Sequence, residues 1–466
     1  MDFNELSRLT LEELVQGFRA GKLDPVDVTE LTLRQIDRVN GDINALYDVR
    51  ADESLAVAKA ASQRYGDGRP SGPLDGVLVT IKDSVHAVGM RWHHGSRIHG
   101  DGVVGVTDAP PAERLKAAGA IIIGKCTMPD FGLSGSGVSS FHGIVRNPWG
   151  LAWNTGGSSA GAGASLAAGI GMMSVGSDIA GSVRLPASHC GLAALKPTQG
   201  MIAHTPASDI RSAGPMTRHA ADLEPYLRIL GGLHRDDRFS LPITEPSESF
   251  NHARIAVYRD FGFGPAVETA VLDVLARAEQ AVSRLVGAVT PAAPPYDFDA
   301  YLAIDDMFKL RGWREHRGAA EELRQHTPRQ LFEWFEEARD WSGDRIAQFE
   351  AGVAHGVART NTLFDDVDFL LTPVMPVVNF PAEERGVDPT MPLRHCTFTA
   401  MFNQSGHPAV SICGGLDPRA LPVGIQLVGR RFDDVRLCRL AAALEAELWP
   451  GGAAARQWPL QPRNLA

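Results

Sequence analysis

The chain has 466 residues, of which 44% are hydrophobic and 21% charged, the composition of a globular protein long enough to bury a sizeable core. Its 45 basic and 55 acidic residues leave a formal charge of −10, which argues against general affinity for nucleic acid. Five scattered cysteines without a C-x-x-C spacing read as reduced thiols, and the start Met1-Asp2-Phe3-Asn4-Glu5 has neither the basic nor the apolar region of a signal peptide, so a cytoplasmic protein is expected.

Thr10-Leu11-Glu12-Glu13 is a capping box ahead of an apolar stripe formed by Leu11, Leu14, Val15 and Phe18. Asp24-Pro25 opens the next helix, with Asp as N-cap and Pro at the first helical position. A third helix is predicted over 52–64, so residues 1–65 read as a helical arm packed on the core. A Gly/Pro-rich linker, 66–73, follows. Val77-Leu78-Val79-Thr80-Ile81 then reads as a strand buried on both faces, and it ends on Lys82. A lysine there either snorkels to solvent or is neutralised and hydrogen-bonded. A helix over 108–118 and the β-branched strand 120–124 suggest parallel strands with helices packed on them.

The stretch from Gly156 to Pro197 is poor in bulk and carries two serine-bearing glycine turns, Gly157-Ser158-Ser159 and Ala180-Gly181-Ser182. Glycine turns let backbone approach a ligand closely and aim N–H groups at an oxyanion. Ser158 and Ser182 are therefore candidates for chemistry, but serine needs a base, and Lys82 is one candidate. The run from Gly161 to Met173 is too short and too glycine-broken to span a bilayer, and is predicted to be a buried core helix. Further on, Arg254–Val257 and Asp368–Pro373 read as strands, 265–286 and about 433–448 as helices, and 308–350 as amphipathic helices. Trp313, Trp334, Phe335 and Trp341 fit either a substrate-pocket wall or, more commonly, core packing.

G-G-S-S, S-D-I-A-G-S-V-R-L-P-A, C-G-L-A-A-L-K-P-T and the upstream I-K-D together resemble the amidase signature family, and D-F-L-L-T-P near residue 370 extends the match. The resemblance implies an α/β fold: one large mixed, mostly parallel twisted sheet with helices on both faces. It implies a single domain over 1–466, with residues 240–360 a variable helical region near the substrate entrance. It implies an amidase that cleaves a carboxamide to acid and ammonia or amine. Ser182 would be the nucleophile, Ser158 the relay held in a cis peptide, and Lys82 the base. Backbone N–H groups of Ile179, Ala180, Gly181 and Ser182 would form the oxyanion hole. Gly132, Ser134 and Leu185 would touch substrate, and an apolar Leu185 hints that no anionic group is gripped there. No cofactor and no metal are implied. The expected partner is a small-molecule amide, with no nucleic acid and no membrane, in a possible homodimer. Asp178 and Arg184 read as structural. One departure is Ala180, where the family usually has a first glycine.

Other readings were open to the same residues. Gly157-Ser158-Ser159-Ala160-Gly161 satisfies G-x-S-x-G, but no strand is expected directly before it, as that motif requires. Gly161-Ala162-Gly163-Ala164-Ser165-Leu166 lacks the last glycine of a dinucleotide loop. His86, His93, His94 and His99 have no metal-ligand spacing with carboxylates. The main rival is the glutamine-hydrolysing A subunit of a tRNA-dependent amidotransferase. Such subunits resemble S-I-R-Q-P after the nucleophile, whereas this chain has Ser182-Val183-Arg184-Leu185-Pro186, which favours a free-standing amidase. A catalytically dead protein of the same fold is opposed by the intact set Lys82, Ser158 and Ser182.

Overall fold

The computed structural model describes residues 2–451 and 457–464, so Met1, residues 452–456 and the last two residues of the expected domain lie outside it. Four helices come first: α1 (Phe3–Arg8), α2 (Leu11–Arg19), α3 (Pro25–Ile43) and α4 (Ala51–Gly66). The capping box forms at α2, where Thr10 Oγ1 accepts from Glu13 N and the Glu13 carboxylate accepts from Thr10 N. Asp24 caps α3 through Val26 N at 2.7 Å. Leu14 and Phe18 of α2 and Val28 and Val39 of α3 are buried in the main core.

Eleven strands make one sheet. In chain order they are β1 (Leu46–Tyr47), β2 (Leu78–Lys82), β3 (Ile121–Cys126), β4 (Met173–Asp178), β5 (Ala193–Lys196), β6 (Ser212–Thr217), β7 (Arg254–Tyr258), β8 (Ala288–Ala292), β9 (Phe369–Pro373), β10 (Ala409–Leu416) and β11 (Pro422–Gly429). Their order across the sheet is β1-β3-β2-β4-β6-β5-β10-β11-β9-β7-β8. Every residue of β2, β4 and β11 is buried, so both faces are covered along those strands. The mixed α/β architecture is the one expected, but its parallel share is smaller. Four neighbouring pairs are parallel, two on each flank, and six are antiparallel. The central strands run antiparallel because β10 and β11 form a hairpin across the short turn at 417–421, a connection too short for a parallel crossover.

The buried helix expected over 161–173 is shorter. It is α5 (Ala160–Ala167), fully buried, and the chain then turns through Gly169 into β4. β4 lies beside β2 in parallel register, Met173 opposite Val79 and Val175 opposite Ile81. Lys82 and Ser177-Asp178 therefore finish at the same carboxyl edge, the side on which open α/β sheets bind ligands.

Candidate active site

Lys82 ends β2 with none of its surface exposed. Its Nζ lies 2.8 Å from Ser158 Oγ, 3.1 Å from Ser177 Oγ and 3.4 Å from Ser177 O. Burial lowers its pKa to about 7; Asp178 and Asp83 pull the other way, and Arg211 adds to the fall. A neutral amine beside a hydroxyl can accept that hydroxyl's proton. The peptide bond Gly157–Ser158 is cis. Ser182 sits in the turn between β4 and α6 (Arg184–Cys190), and Lys82, Ser158 and Ser182 line one small cavity of about 20 Å³.

The turn carrying Ser182 is fixed by Asp178. Its carboxylate accepts from Gly181 N at 2.7 Å and from Val183 N at 3.1 Å, and it pairs twice with Arg184 at 2.9 and 3.0 Å. Both side chains are fully buried, and the guanidinium holds the Asp178 carboxyl well below its usual range against the effect of burial. Arg184 reaches onward to Thr399 O, Gln426 Oε1 and Asn403 Oδ1 at 3.1, 2.8 and 2.6 Å. The expected set of four oxyanion donors is corrected here: the Gly181 N–H is committed to Asp178. Ile179, Ala180 and Ser182 donate no backbone hydrogen bond among the described residues. Gly181 has a φ of +127°, and a Cβ there would lie 2.5 Å from Thr399 Oγ1, so glycine is required. Ala180 stays out of the left-handed region, so its Cβ is tolerated.

The expected substrate contacts divide. Gly132 lines the cavity, and a Cβ on it would come 3.3 Å from Ser158 Oγ. Ser134 does not line it; its buried hydroxyl is bonded to Ser136 Oγ and Arg385 O, both at 2.7 Å. Leu185 is 1% exposed and packs inside the second apolar cluster, away from the cavity wall, so its character says nothing about what the cavity grips. Trp334 and Phe335 are core residues, and neither Trp313 nor Trp341 reaches the cavity. A strand does precede the G-x-S-x-G motif, over Gly150–Asn154, but Ser159 is fully buried, with Oγ 3.4 Å from Ser177 O and outside the cavity.

Four polar cavity groups escaped the sequence reading: Ser84, Ser177, Arg211 and Arg311. Ser177 sits two positions before Ile179 inside the quoted motif, and the alternation of a strand end was the available signal. Arg211 and Arg311 enter from distant segments and carry no local signal. Distance in sequence also hid a cluster that touches the cavity through His94: His94 Nδ1 and His99 Nε2 lie 2.5 and 3.2 Å from Glu315 Oε1, and these three form the one group of metal-ligand type among the described residues.

A family model described as "Amidase" matches residues 27–438. The chain belongs to the amidase signature family, enzymes that hydrolyse amide C–N bonds. Among curated proteins it is 33% identical to the A subunit of glutamyl-tRNA(Gln) amidotransferase from Anaeromyxobacter dehalogenans, over 96% of this chain and 97% of the relative. It is 30% identical to the protein of that name from Geotalea daltonii, over 95% and 97%. Among solved structures it superposes on 6-aminohexanoate cyclic dimer hydrolase with a TM-score of 0.87 at 25% identity, covering 97% of this chain and 99% of that one. It superposes on the A subunit of glutamyl-tRNA(Gln) amidotransferase from Thermotoga maritima with a TM-score of 0.75 at 27% identity, covering 96% and 94%. These relatives overturn the expectation of a small amide as the sole partner, with no nucleic acid, because their name is that of one subunit of an enzyme defined by a tRNA. A net charge of −10 is an average over the chain, and it excludes neither a local surface nor a partner that holds the nucleic acid. No helix among the described residues is long and apolar enough to cross a membrane.

Proposed function

We propose that the chain hydrolyses a carboxamide through an acyl-enzyme on Ser182. The observation that carries this reading is a buried lysine, its pKa lowered to about 7, lying 2.8 Å from the hydroxyl of Ser158 in the cavity that also exposes Ser182. Neutral Lys82 takes the Ser158 proton while Ser158 takes that of Ser182, and Ser182 Oγ attacks the carbonyl carbon. The N–H groups of Ile179, Ala180 and Ser182 receive the oxyanion. Collapse returns the proton from Lys82 by way of Ser158 to the leaving nitrogen. Water then attacks the ester by the same route and releases the acid. A fluorophosphonate probe tests this. An adduct mapped to Ser182 and lost in Lys82→Ala supports the assignment, whereas an adduct on Ser159 refutes it.

A second reading is the glutamine-hydrolysing component of a tRNA-dependent amidotransferase. The similarity to such subunits over nearly the full length of both chains favours it over a free-standing amidase. L-glutamine turnover that rises on adding co-purified partner subunits supports the amidotransferase component. Full turnover of other amides by the isolated chain supports the free enzyme.

A further inference from the structure

Two guanidinium groups line the cavity that holds Ser182, and neither takes part in the proton transfers above, although Arg211 helps to lower the Lys82 pKa. Arg311 stands on the helix α7 (Tyr301–Gly318), and Arg211 immediately precedes β6. Arg311 is partly buried, its Nε is sealed from solvent without a partner, and its side chain makes no hydrogen bond or ion pair among the described residues. The acidic groups that act on it are Glu315 and Asp209, and Glu315 is already held by His94 and His99. Arg211 gives one Nη hydrogen to Pro206 O, while its own Nε is sealed and unpartnered. No Asp or Glu lines the cavity.

Like charges close together and removed from water destabilise a fold unless something neutralises them. No carboxylate among the described residues forms an ion pair with either group; Glu315 and Asp209 act on Arg311, and Asp237 on Arg211, only from beyond ion-pair distance. A planar carboxylate matches the guanidinium fork in shape and in charge, and it is strongest where water is excluded. Both arginines line the same cavity as Ser182.

We propose that Arg311, with Arg211 beside it, binds a carboxylate carried by the amide substrate, so that the enzyme acts on amide acids such as monoamides of short dicarboxylic acids. The proposal rests on the amide-hydrolase reading and extends it to substrate class.

Calorimetry on Ser182→Ala protein reads the site without turnover. Glutaramate, a carboxylate-bearing amide, is compared with pentanamide, its neutral analogue. The acid is expected to bind about a hundredfold more tightly, the worth of one well-desolvated charge pair. Adding Arg311→Gln removes most of that preference, and Arg311→Lys keeps part of it. L-glutamine, which bears the same carboxylate, weakens in parallel. Thermal unfolding of each variant shows that it is folded. Equal binding of the acid and the neutral amide, or a preference that survives Arg311→Gln in folded protein, overturns the proposal. In the Ser182-intact enzyme, the kcat/KM ratio of glutaramate to pentanamide is expected to fall with Arg311→Gln. An enzyme that binds glutaramate selectively yet hydrolyses no amide would leave the anion site standing and refute the hydrolase reading instead.

Discussion

Replacing Lys82 by methionine should remove most activity and yet make the protein more stable at neutral pH. Burial lowers the Lys82 pKa from an ordinary 10.5 to about 7. The unfolded chain therefore binds a proton that the folded chain releases throughout the window from about 7 to 10.5. Stability rises with pH across that window, and at pH 7 the folded state carries a penalty of about 4 kcal/mol for holding the amine dry. Methionine has similar length and no charge to desolvate. It does remove the contacts to Ser158 and Ser177, leaving their hydroxyls short of a partner at a cost of about 1–3 kcal/mol. The net expectation is a gain of about 1–3 kcal/mol at pH 7. Urea unfolding of wild type and Lys82→Met at half-unit steps from pH 6 to 10 measures it. The advantage of the variant should shrink about tenfold in folding equilibrium per pH unit above 7, and kcat/KM of the wild type should fall below pH 7 as the base protonates, with the variant down by roughly 10²–10⁴. A variant less stable than wild type by the same amount at every pH would refute the reasoning, since Lys82 would then hold its site by hydrogen bonds rather than against desolvation.

Asp178→Asn leaves Arg184 buried without its counter-charge and should cost about 3–5 kcal/mol in denaturant unfolding, together with activity; a loss under 1 kcal/mol would mean that Asn403 and Gln426 suffice to hold the guanidinium. Gly181→Ala forces a Cβ onto Thr399 at positive φ and should cost about 1–3 kcal/mol, with kcat lowered about 10²-fold as the Ser182 turn shifts; near-normal kcat would show that the turn yields freely. Ser134→Ala removes a hydroxyl bonded inside the protein, so it should lower stability by about 1–2 kcal/mol while leaving KM within about twofold, and a large KM change would restore Ser134 to the substrate wall.

What the sequence made legible was local. The caps at Thr10 and Asp24, the buried strand ending on Lys82, and the two serine turns are each written in neighbouring residues, and they lie where they were read. What stayed hidden depends on residues far apart in the chain. The Gly181 N–H looked free because the carboxylate that takes it is placed by Arg184, and Arg184 is placed by Asn403 and Gln426. Ser134 and Leu185 looked available to substrate because nothing nearby in sequence announces Arg385 or the second apolar cluster. Arg311 sits on an ordinary-looking amphipathic helix, and only the fold brings it to the cavity that holds Ser182. The antiparallel centre of the sheet was missed because β5 and β6 are short and rich in small residues, giving no hydrophobic period to follow.

The reach of Arg184 also sets when the enzyme can first work. Lys82, Ser158 and Ser182 all leave the ribosome within the first 182 residues, but Asn403 and Gln426, which anchor the turn beneath the nucleophile, are synthesised more than 200 residues later. A nascent chain therefore holds every reactive group for most of its synthesis without the clamp that shapes them. On the proposed mechanism Ser182 would gain its shaped turn only as the last strands arrive, and a product truncated before Asn403 is expected to be inactive against amides.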